Sequence, residues 1–263
     1  MRLAMYHVDA FADRAFSGNP AAVCPLDSWL DDERLRKVAA ENNLSATAFL
    51  VTQGREYELR WFTPVCEIRL CGHATLAAGY VILNVLDPDA SEVRFETRFN
   101  GTLTVRKESN RFCLDFPALP PRRAPEHNNV IEALGLPAAP REVLEANDTF
   151  VAVFEKQDSV AQFRPNFERL AALHPYSVSM TAPGKDVDFV SRYFAPSYGV
   201  PEDPVTGSAH CILTPYWAMR LGKSLLRAQQ LSQRGGELCC EMTKGRVILK
   251  AGAVLTMQAT LTI

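Results

Sequence analysis

Residues 193–211 read Tyr-Phe-Ala-Pro-Ser-Tyr-Gly-Val-Pro-Glu-Asp-Pro-Val-Thr-Gly-Ser-Ala-His-Cys. The stretch begins aromatic and β-prone, passes through prolines and a glycine, and continues as apolar residues at helical spacing. This pattern predicts a strand, a tight turn and a buried helix over 209–221, which Gly222 ends. Free N–H groups and the helix dipole make such a helix start favourable for a carboxylate or phosphate. We therefore expect the amides of residues 207–209 to bind an anion.

The same pattern occurs earlier in the chain. Residues 60–64 read Arg-Trp-Phe-Thr-Pro, and residues 71–80 read Cys-Gly-His-Ala-Thr-Leu-Ala-Ala-Gly-Tyr. The two copies match at Arg60 and Arg192, Phe62 and Phe194, Pro64 and Pro196, Gly72 and Gly207, and Ala74 and Ala209. A duplicated strand, turn and buried helix predicts two similar halves related by a pseudo-dyad, with both helix N-termini converging on one cleft.

Length and composition restrict the class of protein. A chain of 263 residues holds two domains of ordinary size, and its net charge is −2. No basic run exceeds Arg122-Arg123, so we expect no nucleic-acid partner. No apolar run approaches the roughly 18–20 residues that span a bilayer, so we expect no membrane association. Seven cysteines without a C-x-x-C pair, and an N-terminus unlike a signal peptide, favour reduced thiols in a cytoplasm.

Metal and nucleotide sites are not expected. The five histidines are scattered, and none pairs with another three or four positions away. Neither a phosphate-binding loop nor a dinucleotide-binding glycine pattern occurs, so we expect no cofactor.

Many strands and few helices in two halves predict the α+β class. We expect a mostly antiparallel sheet or open barrel wrapped around a central helix in each half. The proline-rich run 117–125 marks the boundary between halves at 1–116 and 126–263, with the last strand free to pack back on the first half. The pattern also predicts an amphipathic helix over 28–42 and a central helix from residue 74 to about 85. Because such sheets leave open edges, we expect a homodimer.

Several motifs resemble the phenazine biosynthesis PhzF-like family, relatives of the diaminopimelate epimerases. The resemblance runs nearly end to end. It rests on residues 8–11 (Val-Asp-Ala-Phe), 18–20 (Gly-Asn-Pro), 43–49 (Asn-Leu-Ser-Ala-Thr-Ala-Phe), 62–64 (Phe-Thr-Pro), 71–75 (Cys-Gly-His-Ala-Thr), 202–210 (Glu-Asp-Pro-Val-Thr-Gly-Ser-Ala-His), 234–237 (Arg-Gly-Gly-Glu) and 252–254 (Gly-Ala-Val).

The resemblance implies the two-halved, diaminopimelate epimerase-like fold with a cofactor-free isomerase site in the cleft between the halves. In the phenazine enzyme a glutamate moves a proton between carbons of a dihydro-hydroxyanthranilate, helped by a histidine, an aspartate and a serine. These helpers correspond to His73, Asp203 and Ser208. A small carboxylate-bearing substrate is implied, and the residues expected to bind it are Asn19, Gly72, Ala74, Gly207 and Ala209.

The glutamate has no counterpart, because the family's Ser-Glu-Thr-Ala-Phe reads Ser45-Ala46-Thr47-Ala48-Phe49 here. The related epimerases use two facing cysteines instead. Cys71 occupies the first of those positions, but Thr206 occupies the second. Ala46 is compatible with a natural change of chemistry and with a deliberate substitution. The nearby candidates to replace the glutamate are Glu41, Glu67 and His210.

Each candidate also has an ordinary structural role. His73 and Asp203 can cap local backbone, Ser208 can be an N-cap, and Asn19 can simply form its turn. Cys71 can be a small buried hydrophobe, although a helix start lowers a thiol pKa.

Three functions therefore remain open. The first is a PhzF-like isomerase or epimerase, and the second is a binding or scaffold protein that keeps the ligand cleft without turnover. The third is an amino-acid racemase or epimerase that uses His73 or Cys71. Exchange of a substrate C–H with deuterated solvent separates the enzymes from the binding protein.

Overall fold

A computed structural model of the chain describes residues 1–54, 56–136 and 139–263. It divides into two compact units, residues 1–116 with 249–263, and residues 117–248. The last fifteen residues thus belong to the first unit, and the proline-rich run from residue 117 belongs to the second.

The first unit contains nine strands and two α-helices among the described residues. The strands are β1 (Arg2–Ala10), β2 (Asn19–Leu26), β3 (Ala46–Gln53), β4 (Glu56–Phe62), β5 (Glu67–Ile68), β6 (Glu92–Thr97), β7 (Gly101–Glu108), β8 (Arg111–Pro117) and β18 (Ala253–Thr262). The helices are α1 (Asp32–Asn42) and α2 (Gly72–Val81), and a π-helical turn (Ile82–Leu86) follows α2.

The second unit contains nine strands and four α-helices among the described residues. The strands are β9 (Arg122–Arg123), β10 (Glu142–Ala146), β11 (Thr149–Val153), β12 (Ser177–Pro183), β13 (Phe189–Ala195), β14 (Val200–Asp203), β15 (Leu225–Gln230), β16 (Gly236–Thr243) and β17 (Arg246–Ala251), which crosses the unit boundary. The helices are α3 (Asn128–Leu134), α4 (Gln157–Ala161), α5 (Phe167–Ala171) and α6 (Gly207–Leu221), and a 3-10 turn (Pro196–Tyr198) precedes β14.

Six strand pairings of the first unit have counterparts of the same direction in the second. In the first, β2–β3 and β4–β6 are parallel, whereas β1–β2, β3–β4, β4–β5 and β6–β7 are antiparallel. In the second, β11–β12 and β13–β15 are parallel, whereas β10–β11, β12–β13, β13–β14 and β15–β16 are antiparallel. This correspondence confirms the prediction of two similar α+β halves with mostly antiparallel sheets.

One helix lies at the centre of each unit because its sequence is apolar on every side. In α2 every residue except Tyr80 is buried, and in α6 the run from Ala209 to Trp217 is buried. A Cβ on Gly79 would lie 2.5 Å from Val105 Cγ1, so only glycine lets α2 approach β7 this closely.

Pro215 stands inside α6 and removes the amide that normally bonds to the carbonyl four residues earlier. That carbonyl, Cys211 O, accepts a hydrogen bond from the Leu119 amide at 3.0 Å instead. The beginning of the proline-rich run is therefore hydrogen-bonded to the central helix α6, whereas a flexible linker would make no such contact.

Some predicted bounds were wrong. The first helix begins at Asp32 rather than at residue 28, because the side chain of Asp31 caps the helix by accepting from the Arg34 amide at 2.8 Å. The central helix α2 ends at Val81, where the π-helical turn replaces the predicted helix to about residue 85.

Candidate functional site

The first cluster of candidate residues lies at the start of α2 in the first unit. Cys71 precedes the helix in an extended conformation (φ −142°, ψ 103°), and its side chain makes no capping hydrogen bond. The Thr75 hydroxyl donates back to Cys71 O at 2.6 Å, which fixes the first turn. The amides of Gly72, His73 and Ala74 precede the first intrahelical bond, so they can donate to an anion.

His73 is buried in this turn with only 6% of its surface exposed. Its Nε2 lies 3.1 Å from Ser45 Oγ, and its Nδ1 lies 3.4 Å from Cys71 Sγ. Ser45 Oγ donates to Asn19 Oδ1 at 2.8 Å. Because burial removes the ring from water, the pKa of His73 falls from 6.5 to about 3, and the imidazole is neutral at physiological pH.

Ala46 is fully buried and opens β3, where it pairs with Ala21 of β2. It directly follows Ser45, whose hydroxyl contacts His73. Of the nearby carboxylates, Glu41 is exposed on α1. Glu67 binds Arg60 through both of its oxygens, at 2.8 and 2.7 Å, which gives it a structural role.

The second cluster lies at the start of α6 in the second unit. Thr206 is the N-cap residue, and Gly207 and Ala209 are buried, whereas Ser208 is exposed. Thr206 Oγ1 donates to Asp203 Oδ2 at 2.6 Å. The side chain of Thr206 is thus directed at the aspartate and makes no capping bond, so this helix start too presents amides that precede the first intrahelical bond.

Gln230 of β15 holds this turn from behind. Its Oε1 accepts from the Thr206 amide at 2.9 Å, and its Nε2 donates to Asp203 O at 2.6 Å and to Thr206 Oγ1 at 3.1 Å. The side chain of Gln230 is fully buried. Gln230 therefore sets the position of both Asp203 and Thr206.

His210 supports the same turn. Its Nδ1 donates to Thr206 O at 2.7 Å, as the Thr75 hydroxyl donates to Cys71 O in the first unit. Full burial lowers the pKa of His210 to about 4. As a neutral histidine that donates to the backbone, His210 stabilises the start of the helix. This structural role accounts for His210 without making it the missing base.

An ion pair of the same geometry precedes both helix starts. Arg60 binds Glu67, and Arg192 binds Glu202, each through Nε and Nη2. Each arginine also lies over the phenylalanine two positions later, at 5.1 Å for Phe62 and 5.0 Å for Phe194. Each pair ties the strand before the turn to the short strand after it.

Sequence patterns alone did not reveal the roles of four of these residues. The sequence repeat matched the two arginines but not their glutamates, although Glu67 and Glu202 both stand five positions before the helix glycine. Ser45 stood only within a motif, and Gln230 in none. No local pattern points to Gln230, because its partners lie 24 and 27 positions away.

Within the described parts of the chain, no three His, Cys, Asp or Glu side chains are grouped as a metal site. Nor does any helix there combine the length and apolar character needed to cross a membrane.

A sequence model of the PhzC-PhzF family, described as phenazine biosynthesis-like protein, matches residues 8–259. The chain belongs to this family. An uncharacterized isomerase of Pseudomonas aeruginosa is 49% identical over 261 residues, 99% of each chain. A PhzF-family crystal structure from Enterococcus faecalis superposes with a TM-score of 0.94 at 42% identity, covering 100% of both chains.

The fold extends beyond the PhzF-like proteins. A hydroxyproline epimerase from Agrobacterium vitis, solved with bound trans-4-hydroxy-L-proline, has a TM-score of 0.63 at 9% identity and covers 99% of this chain and 91% of its own. At this identity the likeness shows the fold alone.

Proposed function

We propose that this PhzF-like protein is a cofactor-independent isomerase that moves a proton within a small carboxylate-bearing metabolite. The observation that carries the proposal is the duplicated helix start. Both α2 and α6 begin without a side-chain cap, and each follows a bidentate Arg–Glu pair. Each also has proton-carrying groups in its first turn or just before it, His73 in one unit and Asp203 with Thr206 in the other.

The binding residues follow from the helix starts. The amides of Gly72, Ala74, Gly207 and Ala209 hold the carboxylate and stabilise the negative charge that develops when a carbon loses its proton. Asp203, which accepts from Thr206, orients the polar groups of the substrate, and the exposed Ser208 hydroxyl is available to bind it.

Ala46 favours a second function, a protein that binds the same metabolites without turnover. A buried methyl group stands where the family's carboxylate is expected, and a missing acid–base group costs on the order of 10²–10⁴ in rate. The two functions differ in one observable, the loss of a substrate C–H into solvent.

A two-stage screen tests the proposal. A panel of hydroxybenzoates, aminobenzoates, cyclohexadiene carboxylates and cyclic amino acids is first ranked by the rise in melting temperature, since ligands of the native state stabilise it. Each compound that binds is then incubated with the protein in deuterated buffer and followed by ¹H NMR. We expect binding and C–H exchange. Binding without exchange across the panel indicates the binding protein, and a panel without any binding contradicts the carboxylate site.

A further inference from the structure

A chain of hydrogen bonds from Asn19 through Ser45 to His73 decides which nitrogen of His73 carries the proton. Asn19 is the first residue of β2, Ser45 immediately precedes β3, and both side chains meet beside the start of α2. Asn19 is fully buried and His73 nearly so. Ser45 between them is half-buried, and its close contacts with protein groups set the direction of its hydrogen bonds.

Ser45 has one hydroxyl hydrogen and two acceptors within reach. Oγ lies 2.8 Å from Asn19 Oδ1 and 3.3 Å from the Pro20 carbonyl, which can only accept. The hydrogen therefore points to this side. The lone pairs of Oγ then face His73 Nε2 at 3.1 Å, so that Nε2 carries the hydrogen and donates it.

His73 Nδ1 is consequently the nitrogen with the lone pair. Its neighbour is Cys71 Sγ at 3.4 Å, and the same sulfur lies 3.8 Å from Nε2. Two such similar distances place the sulfur alongside the ring rather than on the axis of the Nδ1 lone pair. A thiol is a weak donor, so a ligand can replace this contact.

We propose that His73 Nδ1 is the proton acceptor of this site, and that Ser45 and Asn19 are positioning residues that fix this tautomer. The proposal rests on the proposed isomerase function and names its base. The base is one hydrogen bond away from Ser45, the residue next to Ala46, where the family's carboxylate is expected.

The proton transfer balances without any further reactant. Nδ1 takes the proton of a substrate C–H, and the electron pair of that bond stays on the substrate, delocalised toward its carboxylate. The imidazolium then carries hydrogens on both nitrogens, with Nε2–H still donated to Ser45. Nδ1 returns its proton to a different carbon, and His73 ends neutral as it began.

Burial and ligand charge act in opposite directions on this base. Burial lowers the pKa of His73 to about 3, which keeps the lone pair available in the free protein. A carboxylate bound at the α2 amides places negative charge beside the ring and raises that pKa, so the base becomes stronger when substrate is present.

The tautomer is measured directly by long-range ¹H–¹⁵N NMR of the protein with ¹⁵N-labelled histidine, with His73→Gln assigning the signals. We expect the Nε2–H form of His73 at pH 7. Ser45→Ala removes the acceptor of Nε2–H and should give a mixture of the two tautomers, whereas Ser45→Thr keeps the hydroxyl and should keep the Nε2–H form. A wild-type spectrum with the hydrogen on Nδ1, or on both nitrogens at pH 7, overturns the proposal, as does an unchanged tautomer in Ser45→Ala.

Exchange kinetics complete the test with the panel compound that gives the largest thermal shift. Ser45→Ala should lower the kcat for C–H exchange at least about tenfold with little change in KM, and Ser45→Thr should restore it. His73→Asn should abolish exchange. If exchange survives in His73→Asn, the base is wrongly assigned although the isomerase function stands. If the tautomer is as expected but the wild-type protein exchanges no C–H hydrogen of any panel compound, the proposed function fails instead.

Discussion

Arg192 binds Glu202 through two parallel hydrogen bonds, Nε to Oε1 at 2.7 Å and Nη2 to Oε2 at 2.9 Å. The remaining nitrogen, Nη1, donates to the carbonyls of Val160 and Phe163 at 3.2 and 2.6 Å. Four of the five N–H groups of the guanidinium thus have partners, and only 7% of Arg192 is exposed. Since β14 leads directly to the start of α6, this pair fixes the turn that carries Asp203.

Replacing Arg192 by Met should destabilise the second unit by about 3 kcal/mol or more, because Glu202 is then left half-buried without its cation. Lys185→Met is the matched control, since its ion pair with Asp158 is exposed and should be worth at most about 1 kcal/mol. Urea unfolding measures both. Equal losses in the two variants would mean that the buried pair has no special role.

Replacing Gln230 by Met removes three hydrogen bonds from the turn at Asp203 and leaves the buried Thr206 amide without its acceptor. The expected cost is about 1–3 kcal/mol for the unsatisfied amide alone. We also expect slower C–H exchange of the best panel compound, because Asp203 loses its support. The control is Gln229→Met, on the neighbouring and partly exposed position of β15, which should change stability by about 0.5 kcal/mol or less. Unaltered exchange in Gln230→Met would show that Asp203 does not need this support.

Two buried histidines make stability depend on pH. Burial lowers the pKa of His73 to about 3 and that of His210 to about 4, whereas both titrate near 6.5 when unfolded. Above pH 6.5 both states are neutral and these residues contribute nothing. Between pH 6.5 and about 4 the unfolded state binds protons that the folded state does not, so each histidine lowers stability by about 1.4 kcal/mol per pH unit as the pH falls.

Unfolding free energies at pH 7.5 and 5.5 check this dependence above the range in which carboxylates titrate. Wild type should lose about 1.4 kcal/mol per buried histidine over this interval. His73→Gln with His210→Gln should remove most of the loss and leave that due to His7, whose pKa burial also lowers. An equally steep loss in the double variant would assign the pH dependence to other groups.

The features of the fold that could be predicted from the sequence are those signalled by a short local pattern that occurs in both halves. Both central helices were found because each pairs a glycine-led start with a continuous apolar run, and α6 extends only two residues before its predicted beginning. Strand β15 was not found, since a glutamine occupies one of its buried positions and disguises the alternation. The roles of Ser45 and Gln230 come from contacts 24 to 28 positions away in sequence, which no local pattern encodes.

The homodimer stays a prediction, and β18 is the strand that supports it. Along its ten residues, from Ala253 to Thr262, it pairs with β1 and carries no charged side chain. The residues of β18 are all partly or fully exposed, so this uncharged strand is accessible to another chain. We expect a dimer at micromolar concentration by sedimentation, and Thr260→Lys should weaken it. A monomeric wild-type protein would contradict the prediction.

Ala46→Glu tests whether the missing carboxylate is the only part of the family's mechanism that the chain lacks. Ala46 is fully buried beside Ser45, so the new carboxyl should titrate above its usual value of roughly 4.3 because burial disfavours its charge. The anion-binding helix starts are unaltered, so affinity for the best panel compound should change by less than about tenfold, roughly 1.4 kcal/mol. The C–H exchange rate should rise by at least about 10².

The matched control is Ala46→Gln, which has the same shape without a base and should leave the exchange rate at the wild-type level. In the Ala46→Glu background, His73→Asn should retain measurable exchange, because the carboxylate then supplies the base that His73 provides in the wild type. Equal exchange rates in wild type and Ala46→Glu would show that the carboxylate adds nothing and that His73 alone carries the proton. Absence of exchange in both, with binding intact, would leave the binding protein as the function that fits this chain.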